Sequence, residues 1–162
     1  MQLNLNDIIG IPGASKPFEF SLALPAPTAC IMCGPALISG YVYNIAGALE
    51  LRGEIQATMT CACDRCMASF TMKKTQPVTA YLAEILSNEA NPDIFLLENG
   101  SVDLDEVFTT AFLLDMESKI VCDEDCAGLC ITCGANLNDG SCACKLDVDP
   151  RLAALQQLLD TE

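Results

Sequence analysis

Leu49-Glu-Leu-Arg-Gly-Glu-Ile-Gln-Ala-Thr-Met-Thr60 is the stretch on which the architecture turns. Leu49, Leu51, Ile55, Ala57 and Met59 fall on one side of an extended chain, and Glu50, Arg52, Glu54, Gln56, Thr58 and Thr60 on the other. Successive side chains of a strand point to opposite faces, so alternation this long requires one face on a core and one in water. Leu37 to Ala46 reads as a strand before it, with a turn at Gly47. After it, Phe70 to Lys74 pairs back antiparallel, Pro77 breaks the run, and Val78, Ala80 and Leu82 resume the alternation. Residues 37–86 predict an antiparallel β meander or partial barrel.

The flanks are less regular. Phe18-Glu-Phe-Ser-Leu-Ala-Leu24 alternates like a short strand, and Pro25, Pro27 and Pro35 then interrupt pairing. Residues 87–102 are loop-like, with a short strand at Ile94–Leu97. Asp103-Leu-Asp-Glu106 is a helix start: the Asp103 carboxylate can cap free N–H groups, and Glu106 stands three residues on. Leu104, Val107, Phe108, Ala111 and Leu114 supply the apolar stripe of a helix over about 103–116 that lies across the sheet. Asp149-Pro150-Arg151 opens a last helix with Leu152, Leu155 and Leu159 in line, packing on its own domain or binding a partner. The fold class expected is α+β: a β-rich core over residues 1–119 with one helix packed on it, a Cys-rich zinc-binding segment over 120–147, and a C-terminal helix over 148–162.

Half of the 162 residues are hydrophobic (51%), enough for a sizeable core, so a net charge of -14 is not that of a disordered acidic chain. Only eight basic residues are present, and broad contact with a phosphate backbone needs clustered Lys and Arg. Any contact with nucleic acid is therefore local, or made through a partner. From Glu84 to Asp125 there are twelve acidic residues and one basic one, Lys119, either a solvated face, the plainer reading, or a docking surface for a basic protein such as a ribosomal protein. The N-terminal sequence carries neither a basic region nor an apolar run of the signal-peptide kind, and no segment approaches the ~18 apolar residues of a membrane span. The expected location is cytoplasmic, where thiols stay reduced. Histidine is absent, which removes the commonest general base near neutral pH and leaves thiolates and carboxylates as metal ligands.

Cysteine carries the chemistry. Six of the eleven cysteines lie between Cys122 and Cys144. Cys130-x-x-Cys133-Gly134 closes a tight two-ligand turn, and Cys142-x-Cys144 supplies a second pair after a short polar loop. Four thiolates so paired can surround a tetrahedral Zn²⁺. The expected ligands are Cys130, Cys133, Cys142 and Cys144, with Cys122 or Cys126 as alternates. Cys30, Cys33, Cys63 and Cys66, from two further Cys-x-x-Cys pairs, have the stoichiometry of a second site if the loop at residue 30 lies beside the hairpin tip. Asp64 and Arg65 between the thiols read first as a local salt bridge shaping the turn, and second as a phosphate contact.

Cys63-Asp-Arg-Cys66 after a long alternating strand, Asp103-Leu-Asp-Glu before a helix, Cys126-Ala-Gly-Leu-Cys130-x-x-Cys133-Gly-Ala-Asn-Leu-Asn and Asp149-Pro-Arg follow one another in this order. Over about residues 37–159 the chain thereby resembles the bacterial YceD family of large ribosomal RNA subunit accumulation proteins, in particular the Gram-positive type with a Cys-rich tail. The resemblance implies a non-enzymatic cytoplasmic protein that supports 23S ribosomal RNA accumulation and large-subunit biogenesis; similar proteins occur in plastids. The chain departs from the family pattern at Ile131, often proline, and at Met116-Glu117, often Leu-Pro. Cys30, Cys33 and Cys61 lie outside the pattern. The alternative is an iron–sulfur or dithiol redox protein, since four thiolates hold a cluster as well as zinc; brown colour after anaerobic purification separates the two.

Overall fold

The computed structural model describes residues 1–84 and 94–144. In chain order the elements are β1 (Gln2–Asn4), α1 (Asn6–Ile9), β2 (Ser15–Leu22), β3 (Cys30–Met32), β4 (Ala36–Ile45), β5 (Ala48–Ala62), β6 (Ser69–Ala83), β7 (Ile94–Leu96), β8 (Ser101–Asp103) and α2 (Leu104–Leu114). The protein is mostly β-sheet.

The alternating stretch lies within β5, the centre of the sheet, and Leu49, Leu51, Ile55, Ala57 and Met59 are all buried. β4, β5 and β6 form an antiparallel meander, with Ile38 opposite Ile55 and Ile55 opposite Gln76. Ala46 (φ 53°) and Gly47 (φ 96°) join β4 to β5 in a two-residue turn with both φ positive, the handedness that matches strand twist. The main sheet runs β2-β4-β5-β6-β7 and, among the described residues, does not close into a barrel. β7 pairs in parallel with β6 over three residues. β3 and β4 are successive lengths along one edge of β5, interrupted at Gly34-Pro35, where proline has no N–H to give the ladder.

Pro77 does not break β6, which runs through it opposite Glu54. β7 joins β6 only at Tyr81, Leu82 and Ala83, so among the described residues β6 is an edge strand at Pro77, where a missing donor is tolerated.

α2 follows β8 directly, and β8 pairs with β1 in a separate two-stranded sheet. The Asp103 carboxylate caps α2 by accepting from the Asp105 N–H at 3.0 Å. Leu104, Val107, Phe108 and Phe112 are fully buried. Leu114, expected in the stripe, is exposed: six residues past Phe108 it sits about 120° round the helix, and Phe112, one turn on from Phe108, fills the core. The Phe108 ring stands 5.6 Å from Phe18, edge to face, above the paired glycines Gly40 and Gly53. A Cβ on Gly53 would meet Phe108 Cζ at 2.9 Å, so the sheet is dented where the aromatic ring enters. At the other end of α2, Lys74 Nζ donates to the Asp115 carbonyl (3.0 Å) and carboxylate (2.8 Å), and Gln76 Nε2 to the Ala111 carbonyl (2.9 Å).

The opposite face of the sheet is solvated. Tyr41 and Tyr43 on β4 and Tyr81 on β6 stand there around Glu50 and Arg52, whose guanidinium lies 5.8 Å from the Tyr43 ring centre. No helix among the described residues is long and apolar enough to cross a membrane. The helix expected from Asp149, with Leu152, Leu155 and Leu159, lies outside the described residues, as does the end of the Cys-rich segment.

Candidate metal centres

β5 and β6 end in a tip formed by Cys63-Asp-Arg-Cys66-Met-Ala68. Here the Cys63 N–H donates to the Ala68 carbonyl (2.9 Å), and the Met67 N–H to the Cys63 carbonyl (2.9 Å). Cys130-Ile-Thr-Cys133-Gly-Ala135 repeats the pattern. The Cys130 N–H donates to the Ala135 carbonyl (2.8 Å), and the Gly134 N–H to the Cys130 carbonyl (2.8 Å). The residue after the second cysteine has positive φ in both turns: Met67 at 60°, Gly134 at 73°. The protein therefore contains two copies of one knuckle, each presenting two sulfurs and each needing two more.

The segment after α2 supplies them. Its backbone pairs with the hairpin tip: the Asp64 N–H donates to the Ile120 carbonyl (2.8 Å), and the Ile120 N–H to the Asp64 carboxylate (2.6 Å). Arg65 Nη1 donates to the carbonyls of Glu124 (3.0 Å) and Cys126 (2.9 Å), and its own carbonyl accepts from the Leu129 N–H (3.2 Å). Asp64 and Arg65 thus hold the following chain rather than each other. Gly128 (φ 75°) passes so close that a Cβ would stand 3.1 Å from the Arg65 carbonyl.

Cys122 and Cys126 come thereby to Cys63 and Cys66, and the four Sγ atoms lie within 4.8 Å of one another. Cys63 Sγ is 3.8 Å from Cys126 Sγ, and Cys66 Sγ 3.7 Å from Cys122 Sγ. Sulfurs at about 2.3 Å from a tetrahedral ion are about 3.8 Å apart, so these pairs have the spacing of ligands. Cys130, Cys133, Cys142 and Cys144 form a second group within the same 4.8 Å limit. Each group can hold a metal ion.

The two groups differ in enclosure. Cys63, Cys66 and Cys126 are buried and packed by Phe70, Val121 and Leu129, leaving Cys122 exposed. In the second group Cys130 is buried, Cys133 exposed, and Cys142 and Cys144 half-buried.

Negative charge is unevenly spread within each. Burial opposes ionisation of Cys63, but the backbone N–H groups of Cys122, Cys66 and Arg65 outweigh it and bring the thiol down to about 6. The N–H groups of Cys133 and Thr132 do the same for Cys130, also to about 6. Burial and the sulfurs of Cys126, Cys63 and Cys66 push Cys122 up to about 12. The Cys133 sulfur, with burial, pushes Cys144 up to about 12. The Asn138 amide, donating to Cys126 Sγ at 3.3 Å, lowers that thiol.

The sequence reading joined Cys63 and Cys66 to Cys30 and Cys33. The structure does not bring those four together. Cys30 faces Cys61 across β3 and β5, and the two form a disulfide with Cα atoms 4.1 Å apart, although reduced thiols were expected throughout. Cys33 is exposed, with its Sγ 3.4 Å from Thr60 Oγ1. Cys122 and Cys126, read as alternates for the second group, belong to the first. The signal that pointed there was the repeated Cys-x-x-Cys-x-Ala, which makes Cys63-Cys66 equivalent to Cys130-Cys133 rather than to Cys30-Cys33.

An open β-sheet whose hairpin tip and following segment form two four-cysteine groups defines a class of protein with two knuckles, each able to hold a metal ion. The family described as large ribosomal RNA subunit accumulation protein YceD matches residues 51–159, a span that includes all eight of these cysteines, and the chain belongs to that family. It is similar to the chloroplastic large ribosomal RNA subunit accumulation protein YCED homolog 1 of Zea mays, 29% identical over 143 residues, covering 68% of this chain and 49% of the relative. The chain thus spans about half the length of that curated relative. No solved structure matches it.

Proposed function

We propose that this chain supports accumulation of large-subunit ribosomal RNA as a non-enzymatic cytoplasmic factor, with a structural Zn²⁺ held by Cys130, Cys133, Cys142 and Cys144. The observation that carries the reading is the family match over residues 51–159, which takes in β5 from Leu51 onward, β6, β7, α2 and both cysteine groups. Zinc is the ion that suits an all-sulfur tetrahedron in a chain without histidine. Four protein ligands complete its coordination, whereas a hydrolytic zinc keeps a position for water. That supports a scaffolding part for the ion.

The acidic run from Glu84 to Asp125 fits a basic ribosomal or ribosome-assembly protein better than RNA itself. The test is depletion of the protein, followed by gradient separation of ribosomal particles and quantification of 23S rRNA. Loss of large subunits and of 23S rRNA, restored by the wild-type chain, is the expected result; normal levels of both overturn the reading. Crosslinking in cells then identifies the neighbour, expected to be a basic protein.

A further inference from the structure

We propose that Cys63, Cys66, Cys122 and Cys126 form a second metal centre for a soft divalent cation of the Zn²⁺ class, and that this centre is the foundation on which the C-terminal one is built. The proposal stands apart from any role in rRNA accumulation and concerns a different set of thiols from the Cys130 centre.

Three observations carry it. The first is spacing: the 3.7 and 3.8 Å sulfur pairs match the edges of a tetrahedron drawn at Zn–S distances of about 2.3 Å. The second is architecture. Cys63–Ala68 and Cys130–Ala135 share both backbone hydrogen bonds and the positive-φ residue after the second cysteine, so the hairpin tip is the same ligand-presenting turn as the C-terminal knuckle. At the tip the positive φ falls on Met67, which pays strain for the geometry.

The third is the route by which the second knuckle is held. Leu129, just before Cys130, donates its N–H to Arg65 of the first knuckle. Asn138, between Cys133 and Cys142, donates from Nδ2 to Cys126 Sγ (3.3 Å) and accepts from the Ala127 N–H at 2.8 Å. A loop of the second centre thus supplies an outer-sphere hydrogen bond to a ligand of the first, as metal sites commonly require. The dependence is directional. The first centre sits on the β5–β6 hairpin and is the more enclosed; the second, among the described residues, has no helix or strand of its own and leans on the first.

The test is zinc stoichiometry of the full chain by native mass spectrometry, with limited proteolysis alongside. Wild-type protein is expected to carry two equivalents. Cys142→Ser removes one equivalent and opens only the chain beyond Leu129 to protease. Cys126→Ser removes the other and opens the chain from Ile120 onward, the second knuckle included. Asn138→Ala, which leaves all eight thiols in place, reports on the first centre without deleting a ligand: zinc release to a chelator from wild-type protein is biphasic, and the slow phase accelerates about tenfold or more in the variant. Wild-type stoichiometry in Cys126→Ser overturns the proposal, as does a single equivalent in wild-type protein that Cys142→Ser alone removes. One equivalent that only Cys126→Ser removes sustains the first centre but sinks the Cys130 centre, and with it the claim that one is built on the other. Unchanged release from Asn138→Ala removes the proposed coupling.

Discussion

The β-sheet with α2 and the segment from Ile120 to Cys144 reach ordered structure by different means. The sheet encloses a continuous core of Ile38, Leu51, Ile55, Met59, Phe108 and Phe112, none of them in contact with water. The segment after α2 has no comparable core: its buried side chains are mostly sulfurs, with Val121 and Leu129 half-covered beside them. Where apolar burial cannot supply the folding free energy, bound metal can, at ~10 kcal/mol or more for four-ligand zinc in small domains. The core of one region is distributed over many side chains; that of the other is concentrated on eight sulfur atoms.

The largest expected effect is therefore confined to one region. Exhaustive chelation is expected to make residues 120–144 protease-sensitive while the amides of β4, β5 and β6 keep their hydrogen-exchange protection. Equal loss in both regions would show that the sheet depends on the sulfur groups.

Acid is expected to separate the same two regions by pH. Cys63 and Cys130 have pKa values held down to about 6, so the stability they contribute is present above the ordinary thiol value near 9.0 and is lost as pH falls through about 6. In the sheet region, burial raises the Asp103 carboxyl, but the Asp105 N–H and the Met1 ammonium together outweigh it and the group lies below its ordinary 3.8. Its contribution is intact above 3.8 and disappears as pH falls through that lower folded value. Because a bound cation competes with protons for the thiolates, a titration should release metal only as pH falls below about 6, with the far-ultraviolet β signal unchanged until below about 4. Simultaneous loss would erase the distinction.

The converse perturbation is Phe108→Ala, which empties the dent over Gly53. It is expected to cost ~3–5 kcal/mol of stability with metal stoichiometry unchanged. Denaturant unfolding and elemental analysis of the same sample check both halves.

The smallest effect tests the equivalence of the knuckles. Met67→Gly removes a left-handed strain of ~1–2 kcal/mol and restores ~0.4–1 kcal/mol of chain entropy to the unfolded state, for a net gain of up to about 1.6 kcal/mol. Gly134→Ala, with open space around the new Cβ, is expected to lose a similar amount at the matching position. Shifts of one sign at both positions would mean that the turns are not alike.

The legible parts of the sequence were those governed by local rules. The alternation in β5 gave the buried face directly, because period-two patterning needs no partner to be read. The Asp103 cap and the start of α2 were legible for the same reason. Pro77 misled because proline's cost depends on whether a strand is at an edge, a tertiary fact. Leu114 misled because three turns of helix leave the stripe's angle loosely defined until its neighbours are known.

The cysteine groups divide the same way. Cys130, Cys133, Cys142 and Cys144 lie within fifteen residues of one another and are brought together by a short loop. Cys63 and Cys66 meet Cys122 and Cys126 across more than fifty residues and an intervening helix. No spacing rule predicts that closure. Only the repeat of Cys-x-x-Cys-x-Ala hinted at what kind of partner the tip required.

The solvated face of the sheet has a practical consequence. The chain has no tryptophan and three tyrosines, and all three stand on that face, away from both sulfur groups. Its intrinsic fluorescence is thus a built-in reporter for one surface alone: a molecule settling over Arg52 and its aromatic neighbours would alter the emission, whereas loading or stripping of the knuckles would pass in the dark.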